Sequence, residues 1–378
     1  MKEIKFNIPL HLAESVKNVK KFLHSKKPLH GPGKNILRIK HEVKKKFGFN
    51  TAHLTNSCTS ALEISALLLN LKKDDEVIVP SFSFITSASS FARAGCKLKF
   101  CDIEKHNLMP SFDQIKKCIN KKTKAIVIVH YQGYSVNYLD KLQIFCKKKK
   151  IILIEDAAQC FGSYFKNKPL GSFGDLACFS FHETKNLHSG LGGMLVVNNK
   201  KFINRSYLIF DKGTDRHLVQ TGKQKYYSWV EVGSSFLLSE FSASYLLPQI
   251  LYYKKSYVHR SILYKRYIYN FNKWLKEDFY LTNYFKYKYN FHAFVILLKN
   301  NKREHFLNYM KNNKINAVIS YTPLHKSKAG RKFVQNKSQL VNSDIYIDRV
   351  VRLPLHNYLK ISEIDYICKK IKDYFVKN

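Results

Sequence analysis

Between residues 50 and 200 the chain alternates short apolar runs with segments of helical periodicity, and this alternation restricts the fold more than any other feature. The runs are EVIVP (76–80), KLKFC (97–101), KAIVIVH (124–130), IILIE (151–155), LACFS (176–180) and MLVV (194–197). Each is strand-length, continuous and rich in Val, Ile or Phe, which suits strands buried on both faces. Between them, residues 59–69 and 111–119 space apolar side chains three and four apart and begin at Ser, Thr or Asp caps. The pattern predicts an α/β/α layered domain.

From about residue 240 the texture changes to Tyr- and Lys-rich helical sequence (239–274), two apolar strand candidates (291–298 and 317–320) and a closing helix (362–375). A large α/β/α domain over 1–245 and a smaller C-terminal α+β domain over 246–378 follow. No internal repeat or low-complexity linker separates them, so the two are expected to move as one body.

The 65 Lys+Arg against 27 Asp+Glu give a net charge of +38, a balance that suggests a polyanionic partner. The cations are spread along the chain instead of gathered in one arm, and runs such as 147–150 fall at helix ends, where positive charge favours the dipole. Lys outnumbers Arg, and Asn, Ile and Tyr are abundant too, a bias that an AT-rich genome produces without any function. No motif supports nucleic-acid binding. No apolar run approaches the ~18 residues of a membrane span, and charges interrupt the N-terminus where an export signal would be apolar. The eight cysteines form no CxxC pair or zinc-ligand spacing. A soluble cytoplasmic protein with reduced thiols and no metal is the expectation.

Three segments could carry chemistry, each where a strand meets a helix or loop, the place where ligands collect on an open α/β sheet. Asn56-Ser57-Cys58-Thr59-Ser60 precedes a helix and could hold one phosphate at its positive end; an ordinary N-cap uses the same residues. Glu155 and Asp156 end a buried strand, where a carboxylate must be paired or face a polar cleft. A cationic ring nitrogen is one such partner, and a capping role in the next turn is another. Ser180–Asn186 follows a third strand and leads into Gly190-Leu191-Gly192-Gly193. Lys185 there would be desolvated and lowered in pKa, as Schiff-base chemistry requires.

In this order the segments resemble the fold-type I pyridoxal 5′-phosphate enzymes, and within them the DegT/DnrJ/StrS family of sugar-nucleotide aminotransferases. The resemblance covers nearly the whole chain. It rests on NSCTSALEISALLL (56–69), DEVIVPSFSFITSASSF (75–91), VHYQG (129–133), EDAAQ (155–159), SFHETKN (180–186), KGTDR (212–216), VGSSF (232–236) and YTPLH (321–325). It implies that Lys185 forms the Schiff base and shuttles the proton, Asp156 pairs with the pyridinium nitrogen, Phe84 covers one ring face and Gln159 bonds the phenolic oxygen. Cys58, Thr59 and Ser180 would hold the phosphate, with Ser235 reaching a neighbour's phosphate across a homodimer. Lys212, Arg216, Tyr321 and His325 are candidates on the substrate side.

Two positions depart from the family pattern: Ser235 stands where many members have Asn, and Leu191 where Glu is usual. Neither touches Lys185, which the dehydratases of the family lack. The resemblance further implies transfer of an amino group from L-glutamate, yielding 2-oxoglutarate, to dTDP-4-dehydro-6-deoxy-D-glucose. The product would be dTDP-4-amino-4,6-dideoxy-D-galactose for a cell-surface polysaccharide. Amination at C3, a UDP-linked sugar, or a binding protein of this fold that has lost catalysis are the alternatives.

Overall fold

A computed structural model describes residues 2–274, 279–281, 287–333 and 340–377. The apolar runs form strands β2 (Glu76–Pro80), β3 (Lys97–Cys101), β4 (Thr123–Val129) and β5 (Ile152–Asp156), preceded by β1 (Ala52–Thr55). A two-stranded ladder, β6 (Tyr164–Phe165) and β7 (Lys168–Pro169), comes next, then β8 (Leu176–Ser180) and β9 (Gly193–Val197). The main sheet has the order β1-β9-β8-β5-β4-β2-β3. Its central pairs are parallel, while β9 runs antiparallel to both β8 and β1. Alternate residues of one strand supply opposite cores: Ile126 and Ile128 lie in one apolar cluster, Ala125 and Val127 in the other. The α/β/α layering is as the sequence implies. β1 (AHLT) was not expected, because its composition is half polar although all four residues are buried.

A second, antiparallel sheet contains β10 (Phe279–Leu281), β11 (Phe294–Leu298), β12 (Val318–Ile319) and β13 (Val350–Leu353), in the order β10-β11-β13-β12. Only β11 and β12 coincide with apolar runs singled out above. The helix Glu240–Trp274, broken by a kink at Tyr252, connects the two sheets, and residues 245 and 246 lie in its first part.

The first turns of that helix belong to the N-terminal region. Asn18 Nδ2 donates to the Ser244 carbonyl at 2.6 Å, and the buried Glu240 carboxylate accepts the backbone N–H groups of Asn35 and Ile36. These begin the helix Lys34–Phe47, which has no side-chain cap of its own. Gly33 leaves room for this contact, since a Cβ there would stand 2.7 Å from the Glu240 carboxyl carbon. The last turns belong to the C-terminal region, where Arg266 makes a two-pronged pair with Asp365 at 2.6 and 2.8 Å.

Replacing Glu240 by alanine should orphan two buried N–H groups and lower the unfolding free energy by about 1–3 kcal/mol. Urea denaturation of the variant measures this, and an unchanged midpoint would contradict the capping role.

Candidate active site

Successive residues of a strand face opposite ways, and the tip of β5 uses this to separate two carboxylates. Glu155, fully buried, accepts backbone N–H bonds from Gly171 (2.8 Å), Phe173 (2.7 Å) and Gly174 (2.6 Å), with His130 Nε2 at 2.8 Å. Burial pushes its carboxyl up, but His130 and the backbone donors outweigh burial and hold it below the usual carboxylate value. It is a structural anchor for the 171–174 turn. Asp156 receives only neutral donors, Ser87 Oγ at 2.6 Å and the Ala158 N–H at 3.2 Å. Burial raises its pKa against those two bonds, and it has no ion pair among the described residues.

β8 and β9 are joined by the loop that carries Lys185. The Phe181 N–H donates to the Gly192 carbonyl (2.7 Å) and the Glu183 N–H to that of Gly190 (2.8 Å), closing the loop on itself. Lys185 Nζ makes no hydrogen bond or ion pair among the described residues, and its pKa falls from 10.5 to about 8. Burial is the main cause and the charge of Arg352 the second. Next to it, Asn186 Nδ2 donates to the Asn290 carbonyl at 2.7 Å and Oδ1 meets His292 Nδ1 at 3.1 Å. The 291–292 segment is held in turn by Arg260, whose guanidinium donates to the carbonyls of Phe291 (2.9 Å) and His292 (2.7 Å).

The anion end lies where three strands finish side by side, with Ser180 opposite Gly193 and Gly193 opposite Thr55. Two residues past Thr55, Ser57 caps the helix Cys58–Leu68 by accepting the Ser60 N–H at 3.0 Å. The first N–H groups of the helix, including those of Cys58 and Thr59, have no intrahelical acceptor and carry the positive end of the dipole. Gly193 is needed for the approach: a Cβ would stand 2.4 Å from the carbonyl carbon of Ser57. Ser235 lies beside this cradle in the same chain, exposed, its carbonyl accepting from Asn56 Nδ2 at 3.2 Å.

Phe84 is 53% exposed, leaving a ring face free, with Tyr321 6.0 Å away. Gln159 donates from its amide to the Tyr321 hydroxyl and accepts the Gln132 N–H at 2.7 Å. His325 is not open to a substrate: Nδ1 lies 2.6 Å from Ser81 Oγ and Nε2 2.9 Å from Asp344. It ties the residue after β2 to Asp344. Lys212 and Arg216 line a groove of about 1630 Å³ that Ser235 also lines; Lys212 pairs with Asp211, and Arg216 stacks on Tyr227 at 4.4 Å. His130, Asn186, His292 and Arg352 were missed, because their positions depend on contacts far apart in sequence.

Three groups await a partner: an uncommitted amine, a buried carboxylate without a cation, and a helix start with free N–H groups. Pyridoxal phosphate matches them with an aldehyde carbon, a protonated ring nitrogen and a phosphate. Fold and site together define a pyridoxal-phosphate-dependent aminotransferase of fold type I. The sequence profile of the DegT/DnrJ/EryC1/StrS aminotransferase family matches residues 10–372, and the chain belongs to that family.

Among its relatives, a GDP-perosamine synthase of Vibrio cholerae is 27% identical over 349 residues, 91% of each chain. A dTDP-4-dehydro-2,3,6-trideoxy-D-glucose 4-aminotransferase of Saccharopolyspora spinosa is 36% identical over 151 residues, 40% of this chain and 39% of its own. Helicobacter pylori PseC, an aminotransferase involved in the biosynthesis of pseudoaminic acid, superposes with a TM-score of 0.90 at 25% identity over 100% of both chains.

In cofactor-free protein, acetylation of Lys185 should be half-maximal near pH 8, below the 10.5 of an ordinary lysine. Mass mapping across a pH series checks it, and a midpoint with the surface lysines would contradict the burial argument. Gly193→Ala should displace the helix start and weaken cofactor binding roughly tenfold, the scale of one charge-assisted hydrogen bond. A fluorescence titration with pyridoxal phosphate reads that loss.

Proposed function

We propose that this chain moves an amino group from L-glutamate to C4 of a dTDP-linked 4-keto-6-deoxyhexose, most specifically dTDP-4-dehydro-6-deoxy-D-glucose. The amination chemistry rests on one observation, an unpartnered Lys185 beside a buried, cation-less Asp156. The choice of sugar rests on HETKN (182–186), GSSF (233–236) and YTPLH (321–325), together with a relative whose name specifies a dTDP sugar and the 4 position.

Pyridoxal phosphate supplies, when bound, a conjugated ring that draws electrons from a bond at the amine-bearing carbon. The protein's share is positional and acid–base. Lys185 Nζ would hold the cofactor and, with a pKa near neutrality, can take a proton from one carbon and return it to another. Asp156, oriented by Ser87 and the Ala158 N–H, would keep a ring nitrogen protonated. Cys58, Thr59 and Ser180 would fix the phosphate, Phe84 would cover the ring, and Gln159 would offer its second amide hydrogen to the ring's hydroxyl oxygen.

The enzyme is proposed to act as a homodimer whose active sites are shared. Support comes from exposed apolar residues near Ser235: Tyr226 is 76%, Trp229 78% and Val232 68% exposed, more than an isolated surface favours. In that arrangement Ser235, Lys212 and Arg216 would serve the neighbouring site, the cations facing the sugar diphosphate. Product delivery to cell-surface polysaccharide synthesis in the cytoplasm fits the substrate class, and among the described residues no helix is long and apolar enough to cross a membrane.

Incubation with L-glutamate and a panel of dTDP-, GDP- and UDP-linked 4-keto and 3-keto sugars should give a new amine on the dTDP-4-keto sugar, identified by mass and NMR. Preference for a GDP or 3-keto substrate would overturn the sugar assignment. A wild-type protein without the absorbance band of bound cofactor, or one whose band survives Lys185→Ala, would overturn the enzyme reading.

A further inference from the structure

His188 lies three residues past Lys185 and has no part in the site described so far. The loop between β8 and β9 folds back on itself: the Phe181 and Glu183 N–H groups bond the carbonyls of Gly192 and Gly190, and the Ser189 N–H returns to the Phe181 carbonyl at 2.9 Å. Lys185 sits between the outgoing and returning limbs, so the position of the returning limb bears on where its amine stands. That limb is clamped at His188. Gln249, fully buried on the long helix, accepts the His188 N–H at 3.0 Å and donates to its carbonyl at 2.9 Å. The buried imidazole reaches Leu10 of the N-terminal segment through one nitrogen and Gly190 of the loop through the other.

These two contacts decide the protonation of the ring. Nε2 is 2.8 Å from the Leu10 carbonyl, which can only accept, so Nε2 carries a hydrogen. Nδ1 takes the Gly190 N–H at 3.2 Å, which can only donate, so Nδ1 keeps its lone pair. The neutral imidazole with its hydrogen on Nε2 satisfies both. A second proton would fall on Nδ1 and set two N–H groups against each other. Among the described residues, the titratable groups facing the ring are His182 and Glu183 of the loop, His11 edge-on at 5.9 Å, and Tyr245 of the long helix at 5.4 Å. Burial holds the ring below the usual histidine pKa; the charges of His11 and His182 act with it, the Leu10 carbonyl and Glu183 against it.

We propose that His188 is a positioning residue for Lys185, a latch that holds the amine-bearing loop closed as a neutral imidazole and releases it when a proton reaches Nδ1. The latch follows from the chain alone, and its bearing on catalysis rests on the aminotransferase reading above. Because the closed loop accepts only the neutral ring, the latch contributes fully above the ordinary histidine pKa of about 6.5. Its contribution is lost as the pH falls through the lower value of the folded chain. Gly190 spreads the effect: its N–H is held by His188 and its carbonyl holds Glu183, so loosening it loosens both limbs. The two titrations stay apart, Lys185 changing charge at about pH 8 and the latch on the acid side of neutrality.

The test compares the wild type with His188→Ala and with His188→Asn, whose amide oxygen can take the Gly190 N–H and does not titrate. In cofactor-free protein, hydrogen exchange followed by mass spectrometry gives the protection of residues 181–193, corrected for the intrinsic pH dependence of exchange. Wild-type protection should fall roughly tenfold between about pH 7 and about pH 5, the scale of one lost hydrogen bond. It should stay level in His188→Asn and be low already at neutral pH in His188→Ala, while peptides from β4 keep theirs throughout. In loaded protein, retention of pyridoxal phosphate after gel filtration should show the same acid limb in the wild type and lose it in His188→Asn. A limb that survives His188→Asn would assign the response to His11 or His182 and overturn the proposal. Flat wild-type protection, or a parallel loss in β4 from global unfolding, would overturn it too. Exchange in cofactor-free protein needs no chemistry, so a wild type that binds no pyridoxal phosphate would refute the function proposed above and still leave the latch decided.

Discussion

Two neighbouring carboxylates at the tip of β5 meet opposite fates, and the active site depends on keeping them apart. An isolated ionised carboxylate is costly in a protein interior, so each must be answered locally. Glu155 is answered completely, by His130 and three backbone N–H groups that fix the turn beyond β7. Asp156 is answered only in part. The remaining demand of Asp156 is for a cation in direct contact, which no described residue supplies. Whatever cation fills that place stabilises the folded chain by mass action as well as equipping it for chemistry.

Much of the central sheet was legible because strands buried on both faces need unbroken apolar runs, which β2, β4, β5, β8 and β9 contain, while the edge strand β3 alternates Lys with apolar residues. Asp156 was legible for a related reason, as a polar residue ending such a run, and Lys185 by its place between β8 and the glycines at 190–193. β1 was not, since AHLT carries no apolar run and is a strand only because β9 needs an outer neighbour. Arg352 was hidden differently. VVRL reads as any short strand, and the place of its arginine appears only when residues 295 and 318 lie on either side. His325 looked like a ligand because it follows Tyr321 in a family-like segment. Its two ring nitrogens are instead committed to Ser81 and Asp344.

The excess of 65 basic over 27 acidic side chains has no single target in the structure. Around the reactive amine, however, local composition matters more than the total. Burial and the charge of Arg352 act on Lys185, with Asp156 the carboxylate whose charge reaches the amine. Such an arrangement holds Lys185 in a state able to exchange protons near neutrality and offers anions a favourable potential. The many lysines elsewhere are solvated or paired with nearby acids and add little to it.

The helix Glu240–Trp274 carries an implication for how such a chain comes into being. Its early turns are claimed by the N-terminal helices and its later turns by the last helix, with Pro248 and a break at Tyr252 between. Neither lobe owns it. During synthesis the first lobe emerges with an open apolar flank until this helix arrives, and the second lobe has no support without it. Cleavage anywhere along it would leave two fragments each lacking a wall. The chain is in this sense indivisible: exchanging C-terminal regions between homologues to alter specificity would have to carry the helix, and both surfaces that receive it, along with the swap.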